Sequence, residues 1–177
     1  MKKIFVMLLV AAASLAVNSS TARAQNGNPM VGGAAMYSNK DIVDNAVNSA
    51  DHTTLVAAVK AAGLVETLKG KGPFTVFAPT NAAFATLIGA LGEATVLSCD
   101  VLPTVLAFHV TRGRHTSTSV LARQSIRMIN GEWAAVEGTT IAGAPLNLGL
   151  VNISASNGIV HVVDAVLLPP SILAALQ

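Results

Sequence analysis

Four histidines, nine carboxylates and one cysteine are the residues of this chain that could carry acid, base, metal or nucleophile chemistry. His52, His109, His115 and His161 show no i, i+4 pairing and no H-E-x-x-H, the spacing that puts two zinc ligands on one helical face. The acids are scattered, with neither a paired-carboxylate nor a calcium-loop pattern. No metal or cofactor is therefore expected. His109 closes the apolar run "VLAFHV" and His161 lies inside "GIVHVVD". Each reads as a buried histidine with a hydrogen-bond partner. The competing reading joins one of them to Asp164 and a serine as a hydrolase triad, and no local motif supports it. Cys99 sits in "VLSCDVLP", without a His, Lys or Arg to lower its pKa, and reads as an inert thiol. A single cysteine forms no intrachain disulfide.

The other candidate for chemistry is "GPFTVFAPTNAAFATL", a strand that stops at a proline and turns into a helix. Phe74, Val76 and Ala78 alternate with Thr75 and Phe77 as in a strand. Pro79 has no N–H and ends the ladder. A nucleophile elbow would need G-x-S-x-G, and a phosphate loop G-x-x-x-x-G-K-[ST]. Neither is present. Thr80 or Asn81 reads instead as the cap of the helix that Ala82, Ala83 and Phe84 continue.

The elements that hold these residues start with an export signal. Lys2 and Lys3 precede an apolar run from Ile4 to Val17, and Ala22-Arg23-Ala24 is a small-x-small cleavage site. The run is short for a spanning helix, which needs about 20 apolar residues. Cleavage after Ala24 predicts a secreted, periplasmic or surface location and no membrane span in the mature chain. It also removes three bases, leaving 8 Lys and Arg against 9 Asp and Glu, net −1. Nucleic acid is not expected as a partner. Charged residues are only 11% of the chain and aromatics 4%, so Val, Leu, Ile and Ala must build the core and much of the surface is neutral.

Residues 25–38, rich in Gly, Asn, Pro and Met, read as a flexible leader. A domain is expected over 39–170, with a short tail over 171–177. "DIVDNAVNSA" places Ile42, Val43, Ala46 and Val47 at helical spacing. "HTTLVAAVKAAG" repeats the pattern with Leu55, Val56 and Val59 and stops at Gly63. "LVETLKG" is a further helical turn. A helix from about Leu102 to His109 would take Asp100 as its cap and Pro103 in its first turn. After Arg112 the pattern becomes β. "SIRMINGEWAAVEG" and "VNISASNGIVHVVD" each flank Asn-Gly, the signature of a type I′ hairpin turn. The fold class is α+β, helices first and antiparallel hairpins after, without the βαβ alternation of a parallel doubly wound sheet.

"TVFAPTNAAFATL", "VLAFHV" and "NGIVHVVDAVLLPP", in this order and at these separations, resemble the fasciclin domain: its first conserved stretch, its Tyr-His motif and its second conserved stretch. The resemblance covers about Asn39 to Pro170. It implies a β-wedge of short antiparallel strands packed with several helices. It implies secreted or surface-attached proteins of adhesion, with no catalytic activity. Thr75, Phe77, Pro79, Thr80, Asn81, Phe84, His109, Asn157, Gly158, His161 and Asp164 then stand at structural positions of the motifs. The family's recognition positions fall on Phe108, where animal members carry tyrosine, and on Asn152-Ile153, where they carry Asp-Ile. These three residues form the candidate interaction surface. Without the carboxylate, an integrin-type receptor is not expected.

The leading expectation is an exported, non-enzymatic adhesion protein that associates with a cell-surface or matrix component, protein or polysaccharide, in a biofilm or at a host. A periplasmic carrier of a small lipid-like ligand is the alternative, and a hydrolase the third.

Overall fold

The computed structural model describes residues 28–96 and 101–175. The export signal, Cys99 and the Asp100 cap lie outside the described residues. Met30–Val31 (β1) and Ala34–Ala35 (β2) pair as a small antiparallel hairpin. This corrects the reading of a flexible leader. Val31 and Met36 are buried against Ile153 and Val162, so two apolar side chains among glycines suffice to dock the segment. The packed chain thus reaches back to Met30, well before Asn39.

Asp41 caps α1 (Ile42–Asn48) by accepting the Asp44 N–H at 2.7 Å. Ile42 and Val43 are buried as expected, but Val47 is 51% exposed. Asn45 takes the inner face instead. Its Oδ1 accepts the Tyr37 N–H and its Nδ2 donates to the Tyr37 carbonyl, both at 2.8 Å. A 3₁₀ turn, Ala50–His52, leads into α2 (Thr53–Ala61), which buries Leu55, Ala58 and Val59. Gly63 ends it at φ +67°, a left-handed conformation that glycine adopts without steric cost. α3 (Val65–Lys69) stops at Gly70.

β3 (Phe74–Pro79) is followed by α4 (Asn81–Leu91), α5 (Glu93–Val96), α6 (Val101–Ala107), β4 (Val110–Arg112) and α7 (Ser117–Leu121). The β half comprises β5 (Ser125–Arg127), β6 (Trp133–Glu137), β7 (Thr140–Ile141), β8 (Ala144–Pro145), β9 (Ile153–Ala155) and β10 (Gly158–Val163). Residues expected to form a tail instead make α8 (Pro170–Ala175), with Ile172 packed on the core. Pro170 suits this start because it occupies the first helical position, where its missing N–H costs nothing.

Two four-stranded sheets result, β4-β3-β10-β9 and the meander β5-β6-β7-β8. The class is α+β, and nearly all pairings are antiparallel. The exception is central: β3 and β10 run parallel, with Phe74 opposite Gly158 and Phe77 opposite His161. This pair sets the stretches "TVFAPTNAAFATL" and "NGIVHVVDAVLLPP" side by side. The first sheet is covered on both faces, so β3 is buried from Thr75 to Pro79 rather than alternating, with Phe74 half-buried at its start. Val76 and Ala78 face the helical cluster of Leu55, Val59, Phe84 and Leu106. Phe77 faces the second sheet, in a wedge core with Phe108, Val120, Ile141 and Leu167. Phe77, Phe84 and Phe108 are at most 1% exposed, and each contributes roughly 2–3 kcal/mol by burial.

Both expected hairpins form, with different turns. Gly131 has φ +93° but Asn130 does not have positive φ. The bonds Gly131 N–H to Met128 O (3.0 Å) and Met128 N–H to Glu132 O (2.8 Å) define a three-residue loop. In the second hairpin the loop is Ser156-Asn157, because Gly158 already pairs with Ala155. Among the described residues no helix is long and apolar enough to cross a membrane.

Candidate functional site

At the strand-to-helix corner, Thr80 caps α4, its Oγ1 accepting the Ala83 N–H at 3.3 Å. Asn81 reaches backward to the start of α2. Its Oδ1 accepts the Thr54 N–H at 2.9 Å, and its Nδ2 donates to the Ala50 carbonyl (2.8 Å) and Thr53 Oγ1 (3.0 Å). A helix N-terminus has orphan N–H groups, and Asn81 satisfies one from a neighbouring element. Asn81→Ala is expected to cost about 1–2 kcal/mol, measured as a lower urea midpoint with an unchanged m-value.

The histidines are used in the same way. Leu167 N–H donates to His109 Nε2 at 3.0 Å, so that nitrogen must accept. The proton is then on Nδ1, which donates to the Val105 carbonyl at 2.7 Å. Burial pushes the His109 pKa down to about 4, with the Val105 carbonyl opposing the shift. His161 follows the same logic: Nδ1 accepts the Asn152 N–H at 3.1 Å and Nε2 donates to the His115 carbonyl at 2.8 Å. Its ring stacks on Phe77 at 5.8 Å between centroids, and burial lowers its pKa. His52 is lowered by burial as well. Its Nδ1 lies 2.9 Å from Ser49 Oγ, and the Ala78 carbonyl favours a proton on the ring without closing a hydrogen bond to Nε2.

These contacts speak against the triad. Both ring nitrogens of His109 and of His161 are bonded to main chain, which leaves neither free to deprotonate a serine. Asp164 is exposed, and among the described residues its carboxylate accepts only from Asn147 Nδ2, at 3.4 Å. Among the described residues, no three His, Cys, Asp or Glu side chains gather as metal ligands would.

The remaining motif residues are also internal. Thr75 Oγ1 donates to the Gly113 carbonyl (2.8 Å) and accepts the His115 N–H (2.9 Å). Asn157 ties three segments: Oδ1 accepts the Ile42 N–H at 3.1 Å, and Nδ2 donates to the carbonyls of Leu68 (2.6 Å) and Gly70 (3.3 Å). Pro79 and Phe84 are buried, and Gly158 backs directly onto Phe74.

The expected interaction surface of Phe108, Asn152 and Ile153 does not exist as a surface. Phe108 is 0% exposed in the wedge core, and Ile153 is 2% exposed under the β1–β2 hairpin. Asn152 is exposed, but its amide is spent on Ser117. Oδ1 accepts the Ser117 N–H at 2.8 Å and Nδ2 donates to Ser117 Oγ at 2.9 Å. Matching a motif position says nothing about which way an inward-phased strand residue points.

The side chain that sequence reasoning missed is Trp133. It is the only tryptophan in the chain and is 60% exposed. On β6 the burial alternates, with Ala134 and Val136 inside and Trp133, Ala135 and Glu137 outside. Arg127 stands directly across from it on β5 and is also exposed. The signal was available in "EWAAVE", where the indole occupies the outward phase of a strand. A large aromatic beside an arginine on an open sheet face is the composition of an interface anchor.

A family model described as "Fasciclin domain" matches residues 50–169. The chain is 40% identical over 152 residues to "Protein sll1483" of Synechocystis sp., covering 80% of each. It is 30% identical over 154 residues to "Cell surface glycolipoprotein MPB83" of Mycobacterium bovis, covering 79% of this chain and 66% of that one. Its fold is similar to the FAS1 domain pair from the insect cell adhesion molecule Fasciclin I, with TM-score 0.59 and 13% identity over 75% of this chain. The chain spans 52% of that two-domain structure, and the likeness speaks for fold alone. With the two conserved stretches paired as β3 and β10, and the family model covering most of the packed residues, the chain belongs to the fasciclin-domain family.

Proposed function

We propose that this is an exported, non-enzymatic interaction protein that attaches to a cell-surface or matrix component through the outer face of its fasciclin domain. The observation that carries the reading is Trp133, 60% exposed on an open β-face beside Arg127. The polar motif residues other than the exposed Asp164 support it from the other side, because they are consumed in holding the fold. Fasciclin I is named a cell adhesion molecule and the mycobacterial relative a cell surface protein, which agrees with a surface role. The test is co-sedimentation of the labelled protein with producer cells, animal or plant cells and isolated envelope polymers, at two salt concentrations. Saturable binding to one of these is expected. Absence of binding to all of them contradicts the reading.

The carrier reading has one observation in its favour. An apolar cleft of about 200 Å³ is lined by Leu87, Leu91, Val105, Leu168 and Ile172. That is below the roughly 300–1,000 Å³ of most ligand pockets, which places it second. An acyl lipid extracted from the purified protein and identified by mass spectrometry would favour it.

A further inference from the structure

A second cleft lies where the conserved stretches begin. Its walls are the Gly70–Pro73 loop, the Ser156–Gly158 turn, Asp41 and Arg114, enclosing about 500 Å³. Beyond the export signal the chain has 8 bases and 9 acids. Three of those bases, Lys69, Lys71 and Arg114, line this one cleft, against the single acid Asp41. The excess of positive charge runs against the balance of the chain.

The three cations are not equivalent. Lys69 is already paired, at 2.8 Å from Asp44 and 3.8 Å from Asp41. Lys71 is exposed, and its ammonium has no partner among the described residues. Arg114 is oriented without being neutralised. Its Nη2 donates to the carbonyls of Ala155 and Gly158, both at 2.6 Å, and no carboxylate pairs with it among the described residues. Its Nη1 and Nε donors remain for a ligand. A guanidinium held by carbonyls keeps its full charge in a fixed direction, which lowers the ordering cost of binding an anion.

We propose that this cleft binds the carboxylate of a uronate-type acidic glycan, with Lys71 and Arg114 on the carboxylate and Asp41 accepting a sugar hydroxyl. The volume falls in the range of small-ligand clefts. The Asp41 carboxylate selects the class: it repels a dianionic phosphate but accepts hydrogen bonds from the hydroxyls that flank a sugar carboxylate. Two free cations suit one carboxylate at a time and give no path for a polyphosphate backbone. This proposal rests on the reading of surface attachment and gives its partner a chemistry.

The experiment is a calorimetric titration of the purified protein with tri-galacturonate, its fully methyl-esterified counterpart and inorganic phosphate. Tri-galacturonate should bind saturably, the uncharged ester at least ten-fold more weakly, and phosphate more weakly than the trimer. Lys71→Ala and Arg114→Gln should each weaken the trimer at least ten-fold, and raised salt should weaken it further. Because Arg114 also bonds main chain, Lys71→Ala decides if Arg114→Gln unfolds. No binding of the trimer, equal binding of the ester or of phosphate, or unchanged affinity in Lys71→Ala would overturn the proposal. Failure here with binding to envelopes intact sinks this cleft and leaves surface attachment standing. Trimer binding without attachment to any cell or polymer does the reverse.

Discussion

His109→Ala is expected to destabilise the protein by roughly 3–4 kcal/mol at neutral pH, and His109→Gln by clearly less. The alanine removes an acceptor from the Leu167 N–H and a donor from the Val105 carbonyl, in a site where Leu167 is 0% exposed. The buried Leu167 N–H left unpaired costs about 1–3 kcal/mol, the Val105 carbonyl keeps only its bond from the Phe108 N–H at 3.1 Å, and the vacated ring adds a cavity. Glutamine can still donate and accept. The same residue sets a pH dependence. Its folded pKa of about 4 lies below the ordinary histidine value of 6.5, so the unfolded chain binds the proton first. Stability from the neutral ring is complete above 6.5 and is lost as pH falls toward 4, by roughly 3 kcal/mol. His52 and His161, both lowered by burial, act in the same direction. Urea unfolding at a series of pH values measures this. The slope between pH 6.5 and 4 should flatten in His109→Gln by up to about 1.4 kcal/mol per pH unit. A wild-type midpoint that does not move over that range contradicts the assignment.

Gly158→Ala is expected to cost about 3 kcal/mol although Gly158 does not have positive φ. An added Cβ would lie 2.2 Å from the Phe74 carbonyl oxygen and 2.9 Å from Ile42 Cδ1. The isoleucine can rotate, but the carbonyl belongs to the paired strand. Relief requires β3 and β10 to separate at their first register pair, where the two conserved stretches meet. Gly138→Ala is the control. It has φ +59° and nothing within 4 Å of an added Cβ, so only backbone strain of about 1–2 kcal/mol applies. Thermal unfolding should rank Gly158→Ala well below Gly138→Ala. Equal losses would mean that the strand pair tolerates the methyl.

The local elements were legible where one physical signal dominated. Gly63 stops α2, Pro79 stops β3, and Thr80 caps α4, because each effect is confined to neighbouring residues. Val47 was misread because spacing alone cannot tell that Asn45, rather than an apolar residue, would occupy the inner face and bind Tyr37. The Asn-Gly pairs located both hairpins but not their turns, since the register of Gly158 is set by Phe74 on another strand. The parallel pairing of β3 with β10 depends on contacts across most of the domain and leaves no local pattern. The candidate site divides the same way. Thr80 and Asn81 were readable as structural residues, whereas Phe108 and Ile153 were assigned to a surface by motif position and are buried. Trp133 could have been found from its outward phase on β6. Lys71 and Arg114 could not, being brought together only by the fold.

The most direct test of surface attachment is the binding isotherm of Trp133→Ala beside wild type, on whichever cell or envelope polymer the wild-type protein binds. Exposed as it is, the indole contributes little to folding, so the variant should unfold within about 0.5 kcal/mol of wild type. The account predicts at least ten-fold weaker binding, about 1.4 kcal/mol, with the fold intact. Full affinity in a folded Trp133→Ala protein would contradict it.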